Sequence, residues 1–166
     1  MLKDCERFLS LFVQITFLHS SFQNIFAMAK TITQKVTFKN TTCKDCYDLY
    51  MNAKKHSEVT GGAVKISDKE GTSFDVYDGY ITGKNLQLIK NKLIVQSWHG
   101  SDWDAGEINS TFILRFEQKG NNVIVYVAHA NLPDKHADSI DKGWYTWYWE
   151  PWKSYLAGKP IKRVTM

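Results

Sequence analysis

The chain has 166 residues, the length of one domain with room for a tail. With 43% hydrophobic residues and a net charge of only +4, its composition excludes a wholly disordered chain. The 21 basic and 17 acidic residues are interspersed without a long Lys/Arg run, so we expect no nucleic-acid partner. The aromatic share of 14%, with six Trp, is high and needs a structural explanation.

Residues 1–29 differ from the rest of the chain. The apolar run from Phe8 to Leu18 is 11 residues long, too short for a membrane span of about 20 residues, so no transmembrane segment is predicted. The end at Ala27-Met28-Ala29 resembles a signal-peptide cleavage site, but the basic residues at the start are offset by acidic ones. A gene-model overrun or untethered tail is favoured over a signal peptide, and a signal peptide over a membrane-lying helix. We expect one domain over residues 30–166 and a cytoplasmic location, with secretion only if the segment is a true signal peptide.

The pattern of a folded domain begins with a strand. Residues Thr31–Phe38 are β-branched and partly alternating, as in a strand. Thr42, with an aspartate three residues later, predicts a capping box and a helix that runs to about Ala53. A second short helix is expected over residues 54–60, and Gly61 ends it.

Two cysteines lie at the start of the first predicted helix. Cys43 and Cys46 form a C-x-x-C spacing, which is compatible with zinc or with a redox pair. A zinc site needs about four ligands, and the sequence has no second C-x-x-C and no H-x-x-x-H. Reduced thiols without a chemical role are therefore favoured, and no metal or cofactor is predicted.

Short β-rich runs separated by turn residues follow in quick succession. The predicted strands cover residues 63–66, 74–77, 80–89, 93–98, 108–117 and 123–130. The alternation is cleanest in the fifth of these, where one face carries Ile108, Ser110, Phe112, Leu114 and Phe116. The turn at Lys119-Gly120-Asn121-Asn122 predicts a hairpin to the next strand.

The last predicted element explains the aromatic residues. Residues 144–155 contain four Trp and three Tyr. On α-helical spacing, one stripe carries Trp144, Tyr148 and Tyr155, with Trp152 beside it and with Trp147 and Trp149 elsewhere. We expect the helix to start at Gly143-Trp144, to be kinked by Pro151 and to end at Gly158.

A helix with so many aromatic side chains needs a broad apolar surface, and the strands supply one. The predicted fold class is therefore α+β: a curved antiparallel sheet that grips a long C-terminal helix, with two short helices after the first strand. The sequence leaves open whether the grip encloses a cavity or a solid aromatic core.

The segment from Gly61 to Gly158 resembles the C-terminal domain family of the activator of the 90-kDa heat-shock protein ATPase. This family belongs to the START-related helix-grip superfamily. The resemblance rests on D-G-x-I-T-G at 78–83, I-V-Q-x-W at 94–98, Trp103-x-x-Gly106, and G-W at 143–144 followed by Y-x-E-P-x-K at 148–153. The first two motifs together are specific.

The chain departs from the family at two positions and in length. His99 stands where the family commonly has Arg, and Asp104 where it commonly has Pro. The two-domain activators also carry a separate N-terminal domain for which this chain has no room. The resemblance implies a helix-grip fold and a non-catalytic module that is associated with the chaperone or binds a hydrophobic small molecule.

The candidate residues form two sets. Candidates for a ligand cavity or core are Trp98, Phe112, Leu114, His129, Trp144, Tyr148 and Trp152. Candidates for a partner surface are His99, Asp102, Trp103 and Asp104. The leading hypothesis is weak binding to the 90-kDa chaperone; the alternatives are a small-molecule or lipid carrier without a chaperone role and a cavity enzyme of the cyclase type. We name no catalytic residue and expect no enzyme, because no G-x-S-x-G, Walker, H-E-x-x-H or Rossmann pattern occurs.

Overall fold

The computed structural model describes residues 29–161, so the predictions for residues 1–28 lie outside the described residues. The elements in chain order are β1 (Ala29–Phe38), α1 (Cys43–Met51), α2 (Ala53–Thr60), β2 (Val64–Lys65), β3 (Ser73–Val76), β4 (Ile81–Ile89), β5 (Leu93–Gly100), β6 (Ser110–Lys119), β7 (Asn122–Pro133), α3 (Asp134–Gly143), a π-helical segment (Trp144–Trp149) and α4 (Glu150–Leu156). None of the helices in this range is long and apolar enough to cross a membrane.

The strands form one antiparallel sheet in the order β1-β7-β6-β5-β4-β3-β2. The chain therefore pairs each strand with the next from β2 to β7, and the first strand closes the far edge against β7. The sheet curves around the C-terminal helical segments, and its inner face packs on their aromatic side chains. The predicted α+β helix-grip architecture is confirmed.

The helix ends follow the predicted capping chemistry. The Thr42 hydroxyl accepts a hydrogen bond from the Asp45 N–H (3.2 Å), and the Asp45 carboxylate accepts one from the Thr42 N–H (3.2 Å). α2 ends at Gly61, which takes a left-handed φ of 83°. Between them, the Asn52 side chain caps α2 by accepting from the Lys55 N–H (3.1 Å).

The strand that alternates most cleanly begins later than expected. The residues of the β6 inner face, from Ser110 to Phe116, are buried as predicted. Ile108 is instead 64% exposed, because the last pair of the β5–β6 ladder is Trp98 with Ser110, and Ile108 lies beyond it in the loop.

The C-terminal helix begins nine residues earlier than the aromatic pattern suggests. α3 starts at Asp134, not at Gly143, and it is mostly polar, with Ala137 buried and Ile140 partly buried. The sequence signal was weak because a mostly exposed helix has no broad apolar stripe. Pro151 lies in the first turn of α4, where its missing N–H costs little, directly after the π-helical segment.

A buried chain of hydrogen bonds holds α1 to the sheet. The Tyr50 hydroxyl donates to Gln96 Oε1 (2.7 Å), and Gln96 Nε2 donates to Asn85 Oδ1 (2.7 Å). Asn85 Nδ2 then donates to the Ser67 carbonyl (2.6 Å), which fixes the loop between β2 and β3. Gln96 is the glutamine of the I-V-Q-x-W motif. Its two buried hydrogen bonds explain why this position carries a glutamine in this chain.

Gly83 sits where two strands come unusually close. A Cβ at this position would lie 1.9 Å from the Ser97 carbonyl oxygen and 2.8 Å from the Phe74 ring. Since the first obstacle is backbone in a hydrogen-bonded ladder, the sheet cannot yield without losing its pairing. Gly83, the last residue of the D-G-x-I-T-G motif, therefore has a steric reason to be glycine in this chain.

We expect Gly83→Ala to lower the free energy of unfolding by about 3 kcal/mol or more, because the methyl group overlaps a fixed carbonyl. Gly143→Ala is the matched control: its Cβ would lie 3.7 Å from Trp147, an ordinary contact, and alanine favours a helix by up to about 1 kcal/mol. Urea unfolding of both variants measures the difference. Equal stability of the two would contradict the assigned β4–β5 register.

Candidate functional site

A cavity of about 230 Å³ lies between the C-terminal helical segments and the ends of β4 and β5. Its walls are Tyr77, Tyr80, Ile81, Trp98, Gly100, Trp103, Ser139, Ile140, Gly143, Trp144, Trp147 and Tyr148. Tyr80 is 46% exposed and marks the mouth, whereas Trp144 and Tyr148 are buried at its inner end. The grip is therefore hollow at this end, beside the tightly packed aromatic core.

The π-helical segment sets the inner wall of the cavity. Its hydrogen bonds join residues five apart, as from the Glu150 N–H to the Tyr145 carbonyl. The wider turn changes the rotation of every later residue, and Trp149, expected away from the stripe, becomes fully buried. The Trp149 indole N–H donates to Gln34 Oε1 at 2.5 Å, which ties this segment to β1.

Trp144 is the aromatic centre of the site. Its ring stacks on Phe112 with centroids 4.5 Å apart and planes 6° apart, and on Trp98 at 5.4 Å. Tyr148 contacts it at 4.5 Å from one helical turn further on. Trp149 also stacks on it at 5.4 Å, so these contacts hold the Trp144 ring rigidly at the inner end of the cavity.

The polar atoms around the cavity differ in their partners. The indole N–H of Trp144 has no hydrogen-bond partner among the described residues, whereas the hydroxyls of Tyr77 and Tyr148 lie close enough to each other to affect each other's pKa. Burial raises the pKa of Tyr77 to about 12 and raises the pKa of Tyr148 well above its usual value of 10. Both hydroxyls are therefore neutral donors at physiological pH, and buried donors normally find an acceptor.

The loop between β5 and β6 closes one side of the cavity. Trp103 is only 9% exposed; it packs on Leu132 and Ala137 and stacks on His136 with centroids 6.1 Å apart. Asp104 forms an ion pair with Lys135 of α3 (2.5 Å). The Trp103 ring on the buried side of the loop and the Asp104–Lys135 ion pair on its exposed side therefore hold the loop against α3.

The predicted cavity and core residues separate into two groups. Trp98, Trp144 and Tyr148 line the cavity, while the solid core beside it contains Phe112, Leu114, His129 and Trp152, all fully buried. Sequence reasoning missed Tyr77 and Ile140 as lining residues. The Tyr77-Asp78-Gly79 turn, in which all three residues take a positive φ, was the available signal.

The predicted partner-surface residues differ from one another in how exposed they are. Asp102 and Asp104 are exposed on the loop, as a docking surface requires. Trp103 lies under the loop and lines the cavity, because its ring is the apolar contact that anchors the loop to α3. His99 is half-buried beside it, with its Nδ1 3.1 Å from Asn109 Oδ1.

Two histidines are sealed in the core. His129 Nε2 lies 2.8 Å from the Ser110 hydroxyl, and burial lowers the pKa of His129 to about 3. His56 Nδ1 lies 2.8 Å from the Tyr50 carbonyl, and burial lowers its pKa to about 4. Neither residue lines the cavity, so both are neutral structural groups at physiological pH.

The C-x-x-C pair shows no sign of activation. Burial raises the pKa of Cys46 to about 12, and burial also raises the pKa of Cys43. A reactive thiol needs the opposite shift. Within residues 29–161, no group of three or more His, Cys, Asp or Glu is placed to hold a metal ion.

The sequence of the grip matches a known family over most of its length. Residues 33–157 match the model of the family described as activator of Hsp90 ATPase homolog 1-like protein. The chain belongs to this family. The match runs from β1 through the end of α4, so it includes every wall of the cavity.

The curated relatives are named as activators of the 90-kDa heat-shock protein ATPase. The chain is 28% identical over 116 residues to an activator of 90 kDa heat shock protein ATPase homolog from Dictyostelium discoideum, covering 69% of this chain and 30% of the relative. It is 23% identical over 124 residues to the human homolog 1, covering 73% of this chain and 36% of the relative. The chain thus spans about a third of the length of the curated relatives it matches.

The fold also matches solved structures. A crystal structure of an HSP90 activator from Plasmodium falciparum superposes with a TM-score of 0.67 at 22% identity, covering 81% of this chain and 99% of that one. At this level of identity, the similarity establishes the fold, and it agrees with the family match.

We expect Trp144→Ala to lower the free energy of unfolding by about 3–5 kcal/mol, because it empties a large stacked site in the core. Tyr145→Ala, at the next position but 44% exposed, is the control and should change stability by less than about 1 kcal/mol. Chemical denaturation measures both. A cost below about 1 kcal/mol for Trp144 would show that the ring is not the anchor.

Stability should also fall on mild acidification. In the folded protein, burial lowers the pKa values of His56 and His129 to about 4 and about 3. Below about pH 6.5, the two histidines therefore bind protons in the unfolded chain but stay neutral in the folded chain. Near pH 5 this lowers the free energy of unfolding by about 1.4 kcal/mol per pH unit for each histidine.

Urea titrations at pH 7.5, 6 and 5 measure this slope. His129→Leu, which leaves the Ser110 hydroxyl bonded to the Trp98 carbonyl (3.3 Å), should remove about half of it. A flat profile between pH 7.5 and 5 would contradict the burial of both imidazoles.

Proposed function

We propose that this chain binds the 90-kDa heat-shock protein weakly, through a non-catalytic domain of the activator type. The observation that carries the proposal is the family match over residues 33–157, which spans the grip from its first strand to its last helix. The Plasmodium falciparum protein described as an HSP90 activator supports it, because this chain covers 99% of that solved chain. The proposal includes the cytoplasmic location expected from the sequence.

A binding role is favoured over catalysis by the chemistry of the cavity. The residues that line it include no Asp, Glu, Lys, Arg or His, and the tyrosine hydroxyls among them have raised pKa values. General acid–base catalysis near neutral pH uses groups that titrate near that pH. The Ser110–His129 pair is bonded but completely buried outside the cavity.

The exposed face of the β5–β6 loop is the surface we propose for the chaperone. Asp102 and Asp104 present carboxylates there, and Lys135 adds a positive charge from α3. Trp103 holds the loop down from below, so this mixed-charge patch is rigid before binding. A preorganised patch loses less conformational entropy on association.

The binding is expected to be weak for a geometric reason. The curated relatives are about three times as long as the region they share with this chain. Where a second domain anchors the same partner, linkage raises the effective concentration by about 100- to 10,000-fold. The patch on the β5–β6 loop does not itself supply that gain, and it is at the low end of interface size, below about 1,200 Å² in total.

Titration of the chaperone's ATPase with this protein tests the proposal. We expect little stimulation at low micromolar concentration, together with weak, salt-sensitive binding in calorimetry or NMR titration. Several-fold stimulation at low micromolar concentration would overturn the weak-binding part of the proposal. An absence of binding at any accessible concentration would overturn the choice of partner.

Charge removal on the loop tests the proposed surface. Asp104→Ala, combined with Asp102→Ala, should reduce chaperone binding by about fivefold or more. Glu150→Ala is the matched control, because Glu150 also forms an exposed ion pair, with Lys153 (2.7 Å), on α4. Exposed pairs contribute little to stability, so both variants should stay folded. Equal binding by the two variants would contradict the assignment to the β5–β6 loop.

A further inference from the structure

We propose that a groove on the outer face of the sheet binds a phosphate monoester, carried by a phosphorylated serine or threonine of a partner protein. The groove crosses β2, β3, β4 and β5 on the side of the sheet that faces away from the C-terminal helical segments. This proposal is independent of chaperone binding, which we place on the β5–β6 loop. It rests on the shape of the groove, the row of donors that the strand register sets across it and the unpaired charges of its lysines.

The shape of the groove favours a group on a partner's surface over a free small molecule. The groove has a volume of about 810 Å³ and is open to solvent. Its outward-facing side chains are polar, and Phe74, the aromatic residue among its lining, is only 3% exposed. Small-molecule sites are mostly apolar and enclose most of their ligand. A segment of a partner protein can instead rest on an open polar groove and make further contacts around it.

Strand pairing places three side chains in one row across the groove. Ser73 of β3 pairs with Lys84 of β4, and Lys84 pairs with Ser97 of β5. Side chains directly opposite each other on one face of a sheet have Cβ atoms about 4.5–5.5 Å apart. The longer lysine therefore stands between two short hydroxyl side chains, and all three can reach one group bound on the outer face.

The donors of this row match a phosphate. The Ser97 hydroxyl oxygen accepts a hydrogen bond from the Lys84 N–H (3.1 Å), which leaves the hydroxyl hydrogen free to donate outward. Ser73 and Lys84 are exposed, and an ammonium group adds three donors. A phosphorylated serine offers three strong acceptor oxygens and a charge of about −1.5 to −2. A carboxylate offers two oxygens and one charge, so it satisfies fewer of these donors.

The lysines of the groove have no counter-charge within the protein. None of the ion pairs in the described part of the chain includes Lys65 or Lys84. The carboxylate in the groove belongs to Asp75, which pairs with Lys65 in the neighbouring row. Asp75 Oδ1 accepts a hydrogen bond from the Gly79 N–H (2.9 Å), which ties it to the turn after β3. The row with the two serines carries no carboxylate, so we place the phosphate beside Lys84.

Three peptides and inorganic phosphate test the chemistry on the unmodified protein. The peptides are otherwise uncharged pentapeptides whose central residue is phosphoserine, serine or glutamate. In NMR titration we expect saturable binding of the phosphoserine peptide with a Kd of about 1 mM or below. Binding of the serine and glutamate peptides should be at least about tenfold weaker, and the backbone amide signals of Ser73, Lys84 and Ser97 should shift most.

The same titrations can overturn the proposal. No saturable binding of the phosphoserine peptide, or equal binding of the serine peptide, would overturn it as a whole. Equal binding of the glutamate peptide would overturn the choice of phosphate over carboxylate. Inorganic phosphate that binds as tightly as the phosphoserine peptide would overturn the assignment to a protein partner.

A matched pair of lysine variants locates the site. Lys84→Gln removes the charge but keeps a side chain of similar length, so it should weaken binding of the phosphoserine peptide by about fivefold or more. Lys35→Gln is the control, because Lys35 is also an exposed strand lysine but lies on β1, at the opposite edge of the sheet. Thermal melts establish that both variants are folded. Equal binding by the two would show that the phosphate lies elsewhere.

A pair of variants at Ser73 tests the hydroxyl. Ser73→Ala should weaken binding of the phosphoserine peptide by about two- to fivefold, whereas Ser73→Thr keeps a hydroxyl and should retain it. Equal loss in both variants, or no loss in either, would overturn the assigned hydrogen bond. None of these measurements uses the chaperone, so the two proposals succeed or fail separately.

Discussion

The stack of Trp144 on Phe112 is the contact on which the rest of the molecule depends. Its nearly parallel rings, 4.5 Å apart, join the C-terminal helical segments to the inner face of β6. Phe112 is held by the β5–β6 and β6–β7 ladders and cannot move alone. With this pair in place, the last helical segments have one orientation on the sheet, and the bond from Trp149 to Gln34 secures them to β1.

The π-helical segment is the consequence of that constraint. A regular α-helix with Trp144 on the sheet would turn Trp149 away from it, although an indole of that size gains most by burial. The wider turn places Trp144, Tyr148 and Trp149 on the sheet side together. The same geometry leaves space near Gly143 that no side chain fills, so the cavity and the dense core arise from one feature.

Trp103 connects the cavity with the exposed loop between β5 and β6. Its ring lines the cavity from one side, while the charged residues on either side of it, Asp102 and Asp104, form the exposed face of the loop. The walls of the cavity carry no charged side chain, whereas the loop face is charged. The position of the charged face therefore depends on the packing of one apolar ring beneath it.

Local chemistry let the sequence by itself determine the helix caps at Thr42 and Gly61, the succession of short strands along the chain and the family. Each of these depends on a few adjacent residues or on a motif kept in order. Only the tertiary structure decided that Trp149 is buried, that Trp103 lies beneath its loop, that the last helix begins at Asp134 and that the grip is hollow at one end. Those outcomes depend on how side chains from distant segments fill a shared volume. A hydrophobic periodicity calculated for a regular α-helix also does not include the extra residue of a π-helical turn.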